Sequence, residues 1–110
     1  MLVAVATVGK GGPEARVSPE FGHAPTFTLV EVEGGRAKGW EVIPNPASNL
    51  PHGRGPLVAK SLADRGVRMV VSGEVGPGAS ELLRALGVEV KLVEPGKKAG
   101  EALRELGLVK

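Results

Sequence analysis

Two segments in the second half of the chain constrain the fold more than any other feature. They are "GPLVAKSLADRG" and "GPGASELLRALG", each followed at once by a short run rich in β-branched residues, "VRMVVS" and "VEVKLV". Each opens on Gly-Pro, which suits a first helical turn because the N–H that proline lacks has no partner there, and each closes on the glycine that commonly stops a helix. In the first, Leu57, Val58, Ser61 and Leu62 fall on one helical face; in the second, Leu82, Leu83 and Leu86 point inward. A helix followed by a strand, twice in succession, implies right-handed crossovers and therefore parallel neighbouring strands. A last segment, "KKAGEALRELG", reads as a third helix of roughly ten residues.

The first half has a different rhythm. Leu2 to Thr7, "LVAVAT", is apolar without alternation, as expected of a strand covered on both faces. After a glycine-rich loop, Thr26 to Glu33 alternates, Gly34-Gly35 signals a tight hairpin, and Arg36 to Ile43 returns. The order βββαβαβα predicts a five-stranded mixed sheet with spatial order 3-2-1-4-5, the second strand antiparallel to the first, and helices on both faces. This is a three-layer α/β fold with the strand order of the ribonuclease H-like architecture. At 110 residues the chain fits one domain, 1–110, with no linker inside it.

That topology gathers four loops at one rim, residues 8–25, 44–55, 73–78 and 94–97, where ligands of open α/β sheets usually bind. Onto it fall Lys10, Arg16, Glu20, His23, His52, Arg54 and Glu74, with most of the loop glycines. Cationic side chains, backbone N–H groups and imidazoles together suggest recognition of an anion or a metal cluster. The helix start at Gly76, Gly78 and Ala79 adds unpaired amides and a positive dipole end. Phe21 and Phe27 are expected to plug the core at the loop edge, and Trp40 to pack on the sheet.

Composition closes off other classes. There is no cysteine, which excludes a disulfide framework and any thiolate-held zinc or iron-sulfur site, so a metal would have to accept nitrogen or oxygen ligands. The net charge of +2, with Lys and Arg scattered, shows no polybasic arm for nucleic acid. "LVAVATV" is far short of a membrane span and lacks a basic leader, which points to a cytoplasmic protein. No glutamine and only two asparagines, beside abundant Arg, Glu and Pro, lean toward a heat-tolerant source or a GC-rich genome. No G-x-S-x-G elbow or Walker loop occurs, and the central strand carries no acid on which to build a two-metal nuclease.

Taken in order, "MLVAVAT", "RVSPEFGHAPTFTLVEV", "NPAS" and "HGRGPLVAKSLADRGVRMVVSGEVGPGASELLRALGVEV" resemble the dinitrogenase iron-molybdenum cofactor biosynthesis family over roughly residues 1–107. The resemblance implies a small, non-enzymatic domain that binds or carries an iron-molybdenum or iron-sulfur type cluster or its precursor, with a cofactor-assembly protein as an expected partner. In that family the residue before Phe-Gly is often histidine and the one after it arginine; this chain has Glu20 and His23 there. His23 is then the expected metal ligand and His52 a second ligand or donor. Lys10, Arg16 and Arg54 serve as charge partners, and Gly76, Gly78 and Ala79 as an anion cradle. The alternative is a module that uses the same rim for a small oxyanion, a nucleotide or a protein, without metal.

Overall fold

The computed structural model describes residues 1–110. Its elements are β1 (Leu2–Thr7), β2 (Thr26–Glu33), β3 (Arg36–Pro44), α1 (Arg54–Asp64), β4 (Val67–Ser72), α2 (Pro77–Ala85), β5 (Glu89–Leu92) and α3 (Ala99–Glu105). The strands join in the order β3-β2-β1-β4-β5; β2 is antiparallel to both β1 and β3, while β4 is parallel to β1 and β5. The mixed sheet and its order are those expected from the sequence. No helix is long and apolar enough to cross a membrane.

The unbroken apolar run of β1 follows from burial on both faces. Ala4 and Ala6 face a cluster that includes Val58, Ala59 and Leu62 of α1 and Ala79 and Leu83 of α2. Val3 and Val5 face a second cluster with Ala99, Ala102 and Leu103 of α3. β1 presents Leu2 at the edge of the first face and only Ala4 and Ala6 within it, and the space is filled by Phe21 and Phe27, both fully buried, whose rings meet edge to face at 5.4 Å. The expected plugs are therefore in place, and they tie the loop after β1 to the larger core.

Three local expectations shift. Helix α1 begins at Arg54, ahead of Pro56, and its seam is Val58, Ala59 and Leu62, so Leu57 lies on the flank and is 39% exposed. Strand β5 is shorter than read, because Val88 is held by the cap of α2: its N–H donates to the Leu83 carbonyl (2.8 Å) and that of Gly87 to Arg84 (3.0 Å). Helix α3 has seven residues. Lys97 and Lys98, read as its start, instead pair with the loop after β1, the Lys97 carbonyl accepting from the Val17 N–H (2.7 Å). The Lys97 ammonium reaches the Glu105 carboxylate (2.6 Å), and this hydrogen bond, with the nearby carboxylate charges, holds its pKa above the ordinary lysine value.

Candidate functional site

The loop after β1 serves both faces of the sheet, and this decides which rim residues meet. Its first part, residues 8–17, turns to the α3 side. There the Thr7 hydroxyl contacts those of Thr26 (2.7 Å) and Thr28 (3.0 Å), and Thr28 accepts the Gly12 N–H (2.9 Å). The Arg16 guanidinium donates to the Gly96 carbonyl (2.6 Å), and Val17 is buried with α3. Its second part, from Ser18, crosses to the α1/α2 side. The expected single rim is therefore split: Lys10 and Arg16, together with residues 94–97, stand apart from the histidines.

On the α1/α2 side the remaining residues do converge. A pocket of about 360 Å³ is lined by Glu20 and His23 from the loop after β1, by His52 and Arg54 before and at the start of α1, and by Glu74, Gly76, Gly78 and Ala79 around the start of α2. Both histidines are exposed. The two helices begin at this pocket with Gly53 and Gly76 as N-cap residues, and neither has a side-chain cap or an acid in its first turn. The opening amides, those of Arg54 and Gly55 and of Gly78 and Ala79, thus have no side-chain cap, and both dipoles present their positive ends. Two carboxylates and one guanidinium share the wall with the imidazoles. No three of the acids and histidines come together in a group that could hold a bare metal ion.

Backbone pairing sets this wall. Gly73 and Glu74 donate their N–H groups to the carbonyls of Ser18 (3.0 Å) and Pro19 (2.7 Å), and Phe21 donates back to Glu74 (2.9 Å), so Glu20 and Glu74 stand side by side. A Cβ on Gly73 would lie 2.7 Å from the Pro19 carbonyl oxygen and 2.8 Å from that of Ser18, both backbone atoms with little room to give. Gly73→Ala is therefore expected to lower stability by about 2 kcal/mol, an overpacking cost, and to move the His23 imidazole resonances more than those of His52.

Two residues have parts that sequence reasoning did not assign. Asn45, 3% exposed, donates through Nδ2 to the carbonyls of Gly22 (3.0 Å) and Ala24 (2.7 Å), and its Oδ1 accepts the Ala47 N–H (2.7 Å). It stitches the loop after β3 to the loop that carries His23; the "NPAS" stretch was the only hint. Arg54, read as a charge partner, also holds its own loop, donating from Nε to the Leu50 carbonyl (2.6 Å) and from a terminal nitrogen to that of Ser48 (3.2 Å). These bonds fold residues 48–53 back and place His52 on the pocket wall.

Known proteins resemble this chain in sequence and in fold. An uncharacterized protein, MJ0580, from Methanocaldococcus jannaschii is 39% identical over 75 residues, an alignment that covers 68% of this chain and 64% of the relative's own length. The apo form of the orange protein from Desulfovibrio gigas superposes with a TM-score of 0.84 at 33% identity, covering 96% of this chain and 85% of that one. A NifB-like protein from Thermotoga gives a TM-score of 0.75 at 34% identity, with coverage of 96% and 85%. The sequence profile described as "Dinitrogenase iron-molybdenum cofactor" matches residues 1–107. With nearly the whole chain matched, and with "SPEFGHAP", "PHGRGP" and "GEVGPGA", which line the pocket, all inside the match, the chain belongs to the dinitrogenase iron-molybdenum cofactor family.

Proposed function

We propose that this domain is a non-enzymatic carrier that holds an anionic cluster of the iron-molybdenum or iron-sulfur type, or its precursor, in the pocket between the starts of α1 and α2. One observation carries the reading: two histidines distant in sequence line the same pocket as two helix N-termini that no side chain caps. The cluster is cargo here. His23 is its ligand and His52 a second ligand or a hydrogen-bond donor, while the amides around Gly76 to Ala79 and the Arg54 charge neutralise its anionic face. Without cysteine and without a three-donor group, such a grip is weak and reversible, which suits delivery. The family description names the iron-molybdenum cofactor, and the orange protein's structure is that of an apo form, both of which fit a small domain that takes up a cofactor.

A second reading, an oxyanion or nucleotide module with no metal, is favoured by the same uncapped amides. Against it stand the Glu20 and Glu74 carboxylates on the pocket wall, which repel a bare anion but are tolerated by a ligand that contains metal cations. The order β3-β2-β1-β4-β5 fits a ribonuclease H-like architecture used for binding, a reading supported by β1, whose sequence LVAVAT offers no carboxylate to metal-dependent hydrolysis.

The test uses the fact that the chain has only two histidines. Their imidazole resonances are recorded during anaerobic titration with isolated iron-molybdenum cofactor, then with molybdate and phosphate. Paramagnetic broadening of His23, with His52 affected less, is the expected result. His23→Ala should weaken uptake by at least the roughly tenfold that even outer-shell partners of metal ligands contribute. If neither resonance responds to the cofactor while both shift with oxyanions, the carrier reading fails and the anion module replaces it.

A further inference from the structure

The other face of the sheet carries a groove that shares no residue with the histidine pocket. It has a volume of about 750 Å³ and runs between the β2–β3 turn, α3 and the C-terminal residues, with Trp40 in its wall. Helix α3 alone covers this face, whereas α1 and α2 cover the other. The indole consequently packs against the α3-side cluster and remains half-buried at the groove.

A backbone irregularity sets the position of Trp40. Leu29 pairs with Glu41 and Glu31 with Lys38, so Gly39 and Trp40 together stand opposite the single residue Val30. Gly39 has φ +61°, while a Cβ added to it would meet nothing within 4 Å. Glycine is needed there for its backbone conformation, that of a bulge, and not for space. The extra residue places Ala37 on the same face as Trp40 and turns Lys38 away; an unbroken strand would present Lys38 there instead.

Around the indole the groove is basic. Arg36 and Arg104 line it without an ion-pair partner, and the one carboxylate side chain among its lining residues, Glu14, is already bound by the Lys98 ammonium (3.1 Å). A flat aromatic surface beside two guanidiniums fits a planar ring that carries a phosphate: the ring stacks on the indole, and the guanidiniums donate paired hydrogen bonds to phosphate oxygens. The volume lies within the range of small-molecule sites. We propose that this groove is a second binding site, for a nucleotide, with its base on Trp40 and its phosphate on Arg36 and Arg104.

The chain has one tryptophan and no tyrosine, so its intrinsic fluorescence reports Trp40 alone. Titration with AMP is expected to quench that emission saturably, adenosine to do so far more weakly, and inorganic phosphate to compete with AMP without quenching. Arg36→Ser and Arg104→Ser, both at exposed positions, should each weaken AMP by about tenfold, the loss of one charge-assisted contact. The resonances of His23 and His52 should not move, which separates this site from the cluster pocket. The proposal is overturned if AMP gives no saturable quenching, if adenosine matches AMP, or if the arginine variants bind as the parent does. It is also overturned if the emission changes with protein concentration alone, which would make the groove a contact between copies of the chain.

Discussion

Phe21→Ala is expected to lower the stability of the domain by about 4 kcal/mol, the usual cost of removing a buried aromatic ring from a packed core. Phe21 is 1% exposed, its ring meets that of Phe27 edge to face, and its backbone N–H is bonded to Glu74. The alanines of β1 opposite it are too short to close the space it leaves. At about 4–8 °C for each kcal/mol in a domain of this size, the melting temperature should fall by roughly 20 °C. Trp40 lies on the opposite face and reports global unfolding in denaturant independently of the loop. The imidazole of His23 is two residues from the deleted ring and should lose its resolved resonance, or shift strongly, while the variant is still folded by fluorescence. A drop in stability of under about 1 kcal/mol, the level of an ordinary surface change, would show that the ring is not the anchor of the histidine loop.

The same pair of phenylalanines shows why much of the fold was legible in the sequence. Strand count, order and direction follow from local signals: an apolar run without alternation, a Gly-Gly turn, and two helix-strand units with glycine at their ends. What was not legible depends on distant partners. Leu57 and Leu62 are equally apolar, and only the seating of α1 against α2 and the sheet selects Ala59 over Leu57 for burial. Lys97 and Lys98 are sound helix residues, yet the chain uses their backbone to pair with Val17 and Arg16. The bulge at Gly39 is seen only once β2 and β3 are in register.

The candidate site was legible to a similar depth. Topology brings loops to a rim, and this was enough to join His23 with His52 and with the start of α2. Topology does not say on which side of the sheet a loop settles. Three threonine hydroxyls and the Arg16–Gly96 hydrogen bond draw the segment from Gly12 to Arg16 to the α3 side, away from the pocket that the two histidines share. Charge counted along the sequence therefore overstated the positive field of the pocket, which is faced by Arg54 and by two glutamates. Lys10 and Arg16 belong to the far side.

Asn45 gives the second large effect. Replacement by alanine removes the donors that satisfy the Gly22 and Ala24 carbonyls and the acceptor for the Ala47 N–H, leaving buried polar groups unpaired, at an expected cost of about 3 kcal/mol. Asn45→Asp separates the hydrogen bonding from the shape. The carboxylate keeps the acceptor for Ala47, but it brings a negative charge, nearly shielded from water, against two carbonyl oxygens. Burial and those oxygens both favour the protonated acid, whose hydroxyl can donate to Ala24, so the folded-state pKa is raised above the unfolded value of about 3.9. Between the two values the folded protein binds more protons than the unfolded one, and stability must fall as the pH rises through that window. The Asp variant should thus be closest to the parent in acid and weakest at neutral pH, where it should be no more stable than the Ala variant. Denaturant midpoints read from Trp40 across that pH range, for parent, Ala and Asp forms, provide the check. An Asp variant that tracks the parent at every pH would mean that the asparagine amide does not hold the two loops together.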